Sequence, residues 1–318
     1  MKKMINFGMP ALRIAVFAGL LFAVAASAQT GGDDTLVMQF YPSALTSESV
    51  ADFGLGGPPP FTAYDYRYAN LDGPGSQQYI VAAFSNGFSG RVAVLRKQGS
   101  SAMQVAAPDF PLMGGVRPTV ALYDVEGDGK PEVLISFTAA RGSSADWLLK
   151  WDGSTLRSIG PAVQDAQGNI ATSLVEADFV DINGDGILEI INAPETTNGV
   201  FQVFKLSNGS YENAGVTIDA YYTFARGSGA PKNEVRTFSV ANHTAPHLVT
   251  IVNGDITGLN RVSSAVIRLN GVSIAGPERF SQKVLNITIP VSVTGSNTLE
   301  VELRSEPGSQ LSIAIGPR

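Results

Sequence analysis

The sequence contains no cysteine, only two histidines and two tryptophans in 318 residues, and charged side chains make up just 16%. Without cysteine there are no disulfides, no thiolate nucleophile, no thiolate metal site and no lipidated amino-terminal Cys. Stability must come from burial, from ladder hydrogen bonds or from bound ions. The two histidines, His243 and His247, flank Pro246 and lead into a β-type run. Their i, i+4 spacing therefore cannot form a helical metal pair, and both are expected on the surface. No serine-nucleophile elbow and no glycine-rich phosphate loop is present. Nor is there a basic cluster for nucleic acid or anionic lipid. No stretch after the first 28 residues is long and apolar enough to cross a bilayer.

The first 28 residues read as a secretory leader. Lys2, Lys3 and Arg13 precede an apolar run from Ile14 to Ala25, and Ala26-Ser27-Ala28 supplies the small residues of a cleavage site. The run is shorter than the ~20 residues of a membrane-spanning helix. Delivery to the periplasm or the exterior is expected. The leader carries three cations and no acid, so its removal takes the net charge from −6 to −9. Such a chain suits a cationic partner better than a polyanion. High glycine and proline counts, 34 and 18, with short Val/Ile/Thr/aromatic runs, predict an all-β protein of many short strands.

Two segments align without gaps. Asp124-Val125-Glu126-Gly127-Asp128-Gly129-Lys130-Pro131-Glu132 opens into Val133-Leu134-Ile135. Asp181-Ile182-Asn183-Gly184-Asp185-Gly186-Ile187-Leu188-Glu189 opens into Ile190-Ile191. A weaker copy, from Asn70 to Gln78, opens into Tyr79-Ile80-Val81. The copies start 54 and then 57 residues apart, which suits a four-stranded propeller blade. Each has a strand entering the loop, a strand leaving it, and two more behind.

The Asp-x-Asp/Asn-Gly-Asp-Gly-x-x-Asp/Glu loop that opens into an apolar strand resembles the FG-GAP/VCBS-type repeat of integrin-like β-propellers and secreted bacterial proteins. The resemblance covers roughly residues 60–220 and implies a small or partial propeller, with calcium rigidifying each loop. Three repeats are few for a closed ring. Two solutions are open. Thr35–Tyr41 could join strands from Val216–Phe224 and Val235–Val240 in a composite fourth blade, which is the preferred expectation. Otherwise an open arc is covered by the carboxy-terminal portion or by a second copy of the chain.

The metal expectation follows from oxygen chemistry. Asp124, Glu126, Asp128 and Glu132 of the first loop, and Asp181, Asn183, Asp185 and Glu189 of the second, occupy the first, third, fifth and ninth positions. The backbone carbonyls of Lys130 and Ile187 at the seventh would complete each shell. Two carboxylates ~4 Å apart repel by about 4 kcal/mol at an effective dielectric of ~20. A hard divalent ion removes that cost, and Ca²⁺ tolerates six to eight flexible oxygens. An EF-hand is excluded, because the twelfth positions are Ile135 and Asn192 and strands follow. The Asn70 copy, with Pro74 and Gln78 in place of acids, is expected to keep the turn without the ion.

Gly/Pro-rich Ala225–Glu234 and a short linker at 241–246 place a boundary near residue 240, dividing repeats (29–240) from a small β-sandwich (241–318). Sandwich strands are expected at His247–Val252, Ser264–Leu269, Lys283–Val293, Thr298–Leu303 and Leu311–Ile315. No catalytic residue and no organic cofactor is identified. The leading expectation is a secreted, calcium-stabilised, non-enzymatic binding or adhesion protein whose partner is an extracellular protein or a glycan. The alternatives are a carbohydrate-binding accessory protein, with Trp147, Trp151, Tyr221 and Tyr222 as stacking surfaces, and a polysaccharide-acting enzyme on a propeller scaffold.

Overall fold

The computed structural model describes residues 33–47, 62–87, 89–107, 112–113, 117–138, 144–161, 163–164, 170–171, 174–175, 177–192, 201–255 and 259–318. The leader at 1–28 lies outside the described residues. The chain is all-β apart from short helical segments, and among the described residues its antiparallel sheets, mostly of four or five strands, do not close into a barrel.

The three sequence copies become three meanders. In the first sheet Ala63–Ala69, Tyr79–Ser85, Ser89–Gln98 and Ser101–Ala106 pair in chain order. In the second, Arg117–Tyr123, Glu132–Thr138 and Ser144–Trp151 pair in order, and Leu156–Ser158 and Leu174–Val175 both add to Ser144–Trp151. In the third, Asp178–Val180, Glu189–Asn192, Phe201–Ser207 and Ser210–Ile218 follow one another. In every copy the Asp/Gly loop joins the first two strands.

These sheets stack face to face, which explains their unbroken apolar runs. A strand buried on one side alternates in polarity, whereas one buried on both sides is apolar throughout. Ile80 to Phe84 are all fully buried: Val81 and Ala83 meet the second sheet, while Ile80, Ala82 and Phe84 face the other way. Val133, Ile135 and Phe137 pack on the first sheet, and Leu134 packs on the third. Each such side chain contributes roughly 1.5–3 kcal/mol when removed from water. Polar ties cross the layers as well. The Val120 amide donates to Asp65 Oδ2 (2.8 Å) in the neighbouring sheet.

Both ends of the row are covered. At one end, helices Asp34–Met38 and Ser43–Ser47 lay Leu36, Val37 and Leu45 over Ile80, Ala82 and Phe84. Thr35–Met38 is thus helical and Gln39–Phe40 a turn, in place of the strand expected over Thr35–Tyr41. Leu36 and Val37 recur as Phe40 and Tyr41 four residues on, a helical spacing that outweighs the β-formers in the run.

At the other end, Val180, Ile191 and Val203 of the third sheet pack on Tyr221 and Ala314. These belong to a fourth sheet, in the order Ala220–Ala225, Gln310–Pro317, His247–Asn253, Asn286–Val291. A fifth sheet, Asn233–Ser239, Ser296–Leu303, Ala265–Leu269, Val272–Ala275, shares a core with the fourth through Phe224, Ile251, Ile313, Ile267 and Val301. The composite fourth blade is therefore not formed. Ala220–Ala225 pairs with Gln310–Pro317 and Asn233–Ser239 with Ser296–Leu303, so both join strands from beyond residue 246. The linker-like Ala225–Glu234 stretch connects two sheets of one core.

His247 is buried, against expectation. Strand alternation turns His247, Val249, Ile251 and Asn253 inward. Its ring nitrogens meet the Ala245 carbonyl (2.8 Å) and Asp219 Oδ2 (3.0 Å). His243 is exposed.

Gly90 marks a close approach between the first two sheets. A Cβ there would sit 2.3 Å from Phe137 Cζ, and the Phe137 ring is held edge-on to Trp147 at 5.7 Å. Gly90→Ala is expected to cost about 1–3 kcal/mol by overpacking, and adding Phe137→Leu should restore part of it. Urea midpoints of the single and double variants check this; an unchanged midpoint for Gly90→Ala would refute the close approach.

Candidate metal centre

The two acidic loops fold alike because the same atoms do the same work in each. The first-position aspartate closes the loop on itself. Asp124 accepts from the amides of Asp128 (3.0 Å) and Gly129 (2.9 Å), and Asp181 accepts from those of Gly184 (2.6 Å), Asp185 (3.0 Å) and Gly186 (3.0 Å). The fifth-position aspartate turns the chain outward again: Asp128 and Asp185 accept from the amides of Lys130 and Ile187, each at 2.8 Å. Paired glycines with positive φ, Gly127 and Gly129 and then Gly184 and Gly186, allow the tight path.

The ninth-position glutamate is buried at the root of each loop. Glu132 Oε2 accepts the Val125 amide and Glu189 Oε2 the Ile182 amide, both at 3.0 Å. Burial, with help from neighbouring carboxylates, raises both glutamates from the usual 4.5 to about 7. The neighbours are Glu126 and Asp128 for Glu132, and Asp185 and Asp181 for Glu189. Tyr211 donates to the Leu188 carbonyl (2.7 Å), and burial followed by the charges of Glu132, Glu189 and Glu126 pushes its phenol up.

The loops differ at the third position. Asn183 Nδ2 donates to Asp185 Oδ2 (3.0 Å) and Glu189 Oε1 (2.9 Å), bridging two carboxylates with a neutral amide. Glu126 instead meets the Lys150 ammonium, which also lies 3.9 Å from Glu132 Oε1. That oxygen is buried and has no hydrogen-bond partner. Burial lowers the Lys150 pKa, but its bond to Glu126 and the charges of Glu126, Glu132 and Asp128 outweigh this, and the net shift is upward.

The loops lean on one another along one edge. The Leu188 amide donates to the Val125 carbonyl (3.1 Å), and Gly129 lies against Pro74 of the Asn70 copy. Asn286 of the fourth sheet donates to the Asp181 carbonyl (3.1 Å). The Asn70 copy keeps the turn, with Gly73 and Gly75 at positive φ. Its Asp72 accepts from Trp151 Nε1 (3.1 Å) and its Asn70 donates to the Ser76 carbonyl (2.7 Å).

Among the described residues, no three carboxylates or imidazoles converge at metal-ligating distance. The donor set nonetheless fits a hard divalent cation. It is all oxygen, two of its glutamates are buried, and Glu132 Oε1 is a buried acceptor without a hydrogen-bond partner. Lys150 and Asn286 were not among the residues singled out from sequence. Lys150 could have been, since Lys97, Lys150 and Lys205 recur at one place in the third strand of each copy. The aromatic stacking surfaces are not available: Trp147, Trp151 and Tyr221 are buried, and only Tyr222 is partly open.

Residues 124–192, spanning both acidic loops, match the family model described as FG-GAP-like repeat. The comparison with curated proteins returns no match. Among solved structures, the chain is similar to a variant of BuGH86 in complex with neoagarooctaose, at 14% identity over 58% of this chain and 33% of that one, with a TM-score of 0.21. Wild-type BuGH86 in complex with neoagarooctaose gives 13%, 58%, 34% and 0.20. The GH31 α-xylosidase of Xanthomonas citri gives 11%, 80%, 32% and 0.16. The chain spans about a third of the length of each, and likeness at this level carries no functional weight. No helix among the described residues is long and apolar enough to cross a membrane.

The buried glutamates set a pH dependence. A carboxyl raised in the folded state holds a proton that the unfolded chain has already released. Its contribution to stability is full below about 4.5 and is lost as pH rises through about 7. In chelator-treated solution the melting temperature is expected to be higher at pH 5 than at pH 8, as read by circular dichroism. A flat profile across that window would contradict the burial of these two groups.

Proposed function

We propose that this chain is an exported, calcium-stabilised binding protein without catalytic activity. Its repeats would form a propeller-like arc and its carboxy-terminal sheets a β-sandwich, together offering a rigid surface to an extracellular protein or glycan. One observation carries the reading. Two loops in successive repeats place a glutamate at the same buried root and an aspartate at the same turn, and both glutamates are raised by burial and by neighbouring acids. Such a concentration of carboxylate oxygens is destabilising on its own and favourable around a hard cation. The FG-GAP-like match across both loops supports the same reading.

In this proposal Asp124, Glu126, Asp128, Glu132 and the Lys130 carbonyl serve the first loop, and Asp181, Asn183, Asp185, Glu189 and the Ile187 carbonyl the second. The ion is structural, holding the connection between the first two strands of a sheet. The amino-terminal Lys2–Ala28 pattern supports export.

Calcium is expected to raise the melting temperature, with a stabilisation of about 2.7 kcal/mol at a hundredfold excess over Kd. Asp185→Ala should remove the second loop's share of that gain while leaving the fold in chelator intact. Thermal melts with and without millimolar Ca²⁺ and EDTA provide the check, and identical melts would refute calcium stabilisation.

A further inference from the structure

The three repeats share a lysine that has a different use in each. The pairings Tyr79 with Arg96, Val133 with Leu149 and Ile190 with Phe204 set the next residue along, Lys97, Lys150 or Lys205, across from the ninth loop position. In the first repeat that position is Gln78, and Lys97 bonds Asp33 (2.7 Å) beside the amino-terminal helix. In the third, Lys205 is exposed and lies across from Glu212 on the other flank. Among the described residues it makes no ion pair.

Only Lys150 turns into its own loop. Its ammonium bonds Glu126 and stands 3.9 Å from the partnerless oxygen of Glu132, a residue with no exposed surface. The Lys150 side chain is itself only 30% exposed. The third-position side chain matches this use. Glu126 is long and charged and reaches the ammonium, whereas the second loop has Asn183, a neutral amide that bridges Asp185 and Glu189.

We propose that Lys150 is the built-in counter-cation of the first acidic loop, which makes the two loops inequivalent. The second loop depends on a divalent ion; the first is neutralised from within the chain and takes an ion only if the ammonium is displaced. An ammonium fixed on a strand competes as an intramolecular ligand at high effective concentration. Its displacement breaks a partly buried ion pair and leaves the lysine to find water. The assignment rests on the reading of these loops as calcium sites, and it predicts one tight ion per chain where the motif count suggests two.

Calcium bound to the purified chain, measured by equilibrium dialysis, tests this together with melts in EDTA. The native sequence is expected to hold one tight ion, Asp185→Ala none, Lys150→Met two, and the double variant one. In EDTA, Lys150→Met should melt several degrees below the native protein, because four carboxylates have lost their counter-charge, whereas Lys205→Met should not. Two tight ions in the native chain with no change on Lys150→Met would overturn the assignment while leaving the calcium reading in place. No ion in either chain would overturn the calcium reading. The EDTA melts then decide on Lys150: a drop confined to Lys150→Met sustains its role, and equal melts for both lysine variants end it.

Discussion

A carboxylate buried where a loop becomes a strand is the constraint on which this molecule is built. Glu132 and Glu189 each accept the amide of the loop's second residue, and that bond pulls Val125 and Ile182 down toward the apolar layers on either side. Removing a charge from water is costly, so a buried carboxylate must hold a proton, accept hydrogen bonds or be given a positive neighbour. The two loops meet that demand differently, one with an amide at its third position and the other with a lysine from the adjacent strand. The similar backbone path persists because aspartate oxygens satisfy the loop amides in both.

From that edge the architecture spreads as a row of layers. A meander with both faces apolar cannot end in water, so each sheet needs a neighbour on either side. The first sheet finds one in two short helices and the third in the fourth sheet. Asp178 marks this last junction, with its carboxylate accepting from Tyr221 (2.8 Å) and Thr223 (3.4 Å). The contact is thus specified by polar partners as well as by burial.

The local order of the fold was legible where pattern and position agreed. The Asp/Gly loops and the apolar strands behind them could be read directly, because turn chemistry and strand period are properties of a few adjacent residues. What escaped depended on distant partners. The run around Leu36 and Val37 has β-forming residues but a helical spacing, and only the bare face of the first sheet settles which governs. His247 opens a strand that was expected, but its polar ring reads as a surface group until strand alternation and Asp219 bring it inside. Ala220–Ala225 and Asn233–Ser239 flank a stretch that reads as a boundary, yet their partners lie some 60 to 90 residues further on. Lys150 is an ordinary strand lysine in sequence and acquires meaning only through the acids across from it.

The strand Gln310–Pro317 lies inside the fourth sheet, between Ala220–Ala225 and His247–Asn253, and supplies Ala314 to the layer against the repeats. Ala220–Ala225 lacks its ladder partner, His247–Asn253 is paired only on its Asn286–Val291 side, and the third sheet lacks part of its covering layer, until that late segment has been synthesised. The order in which a ribosome delivers residues therefore delays docking of the amino-terminal two thirds, because the closing contacts are separated by so much chain. Until then the incomplete chain presents an apolar layer to solvent, the kind of surface that favours aggregation of partly folded species.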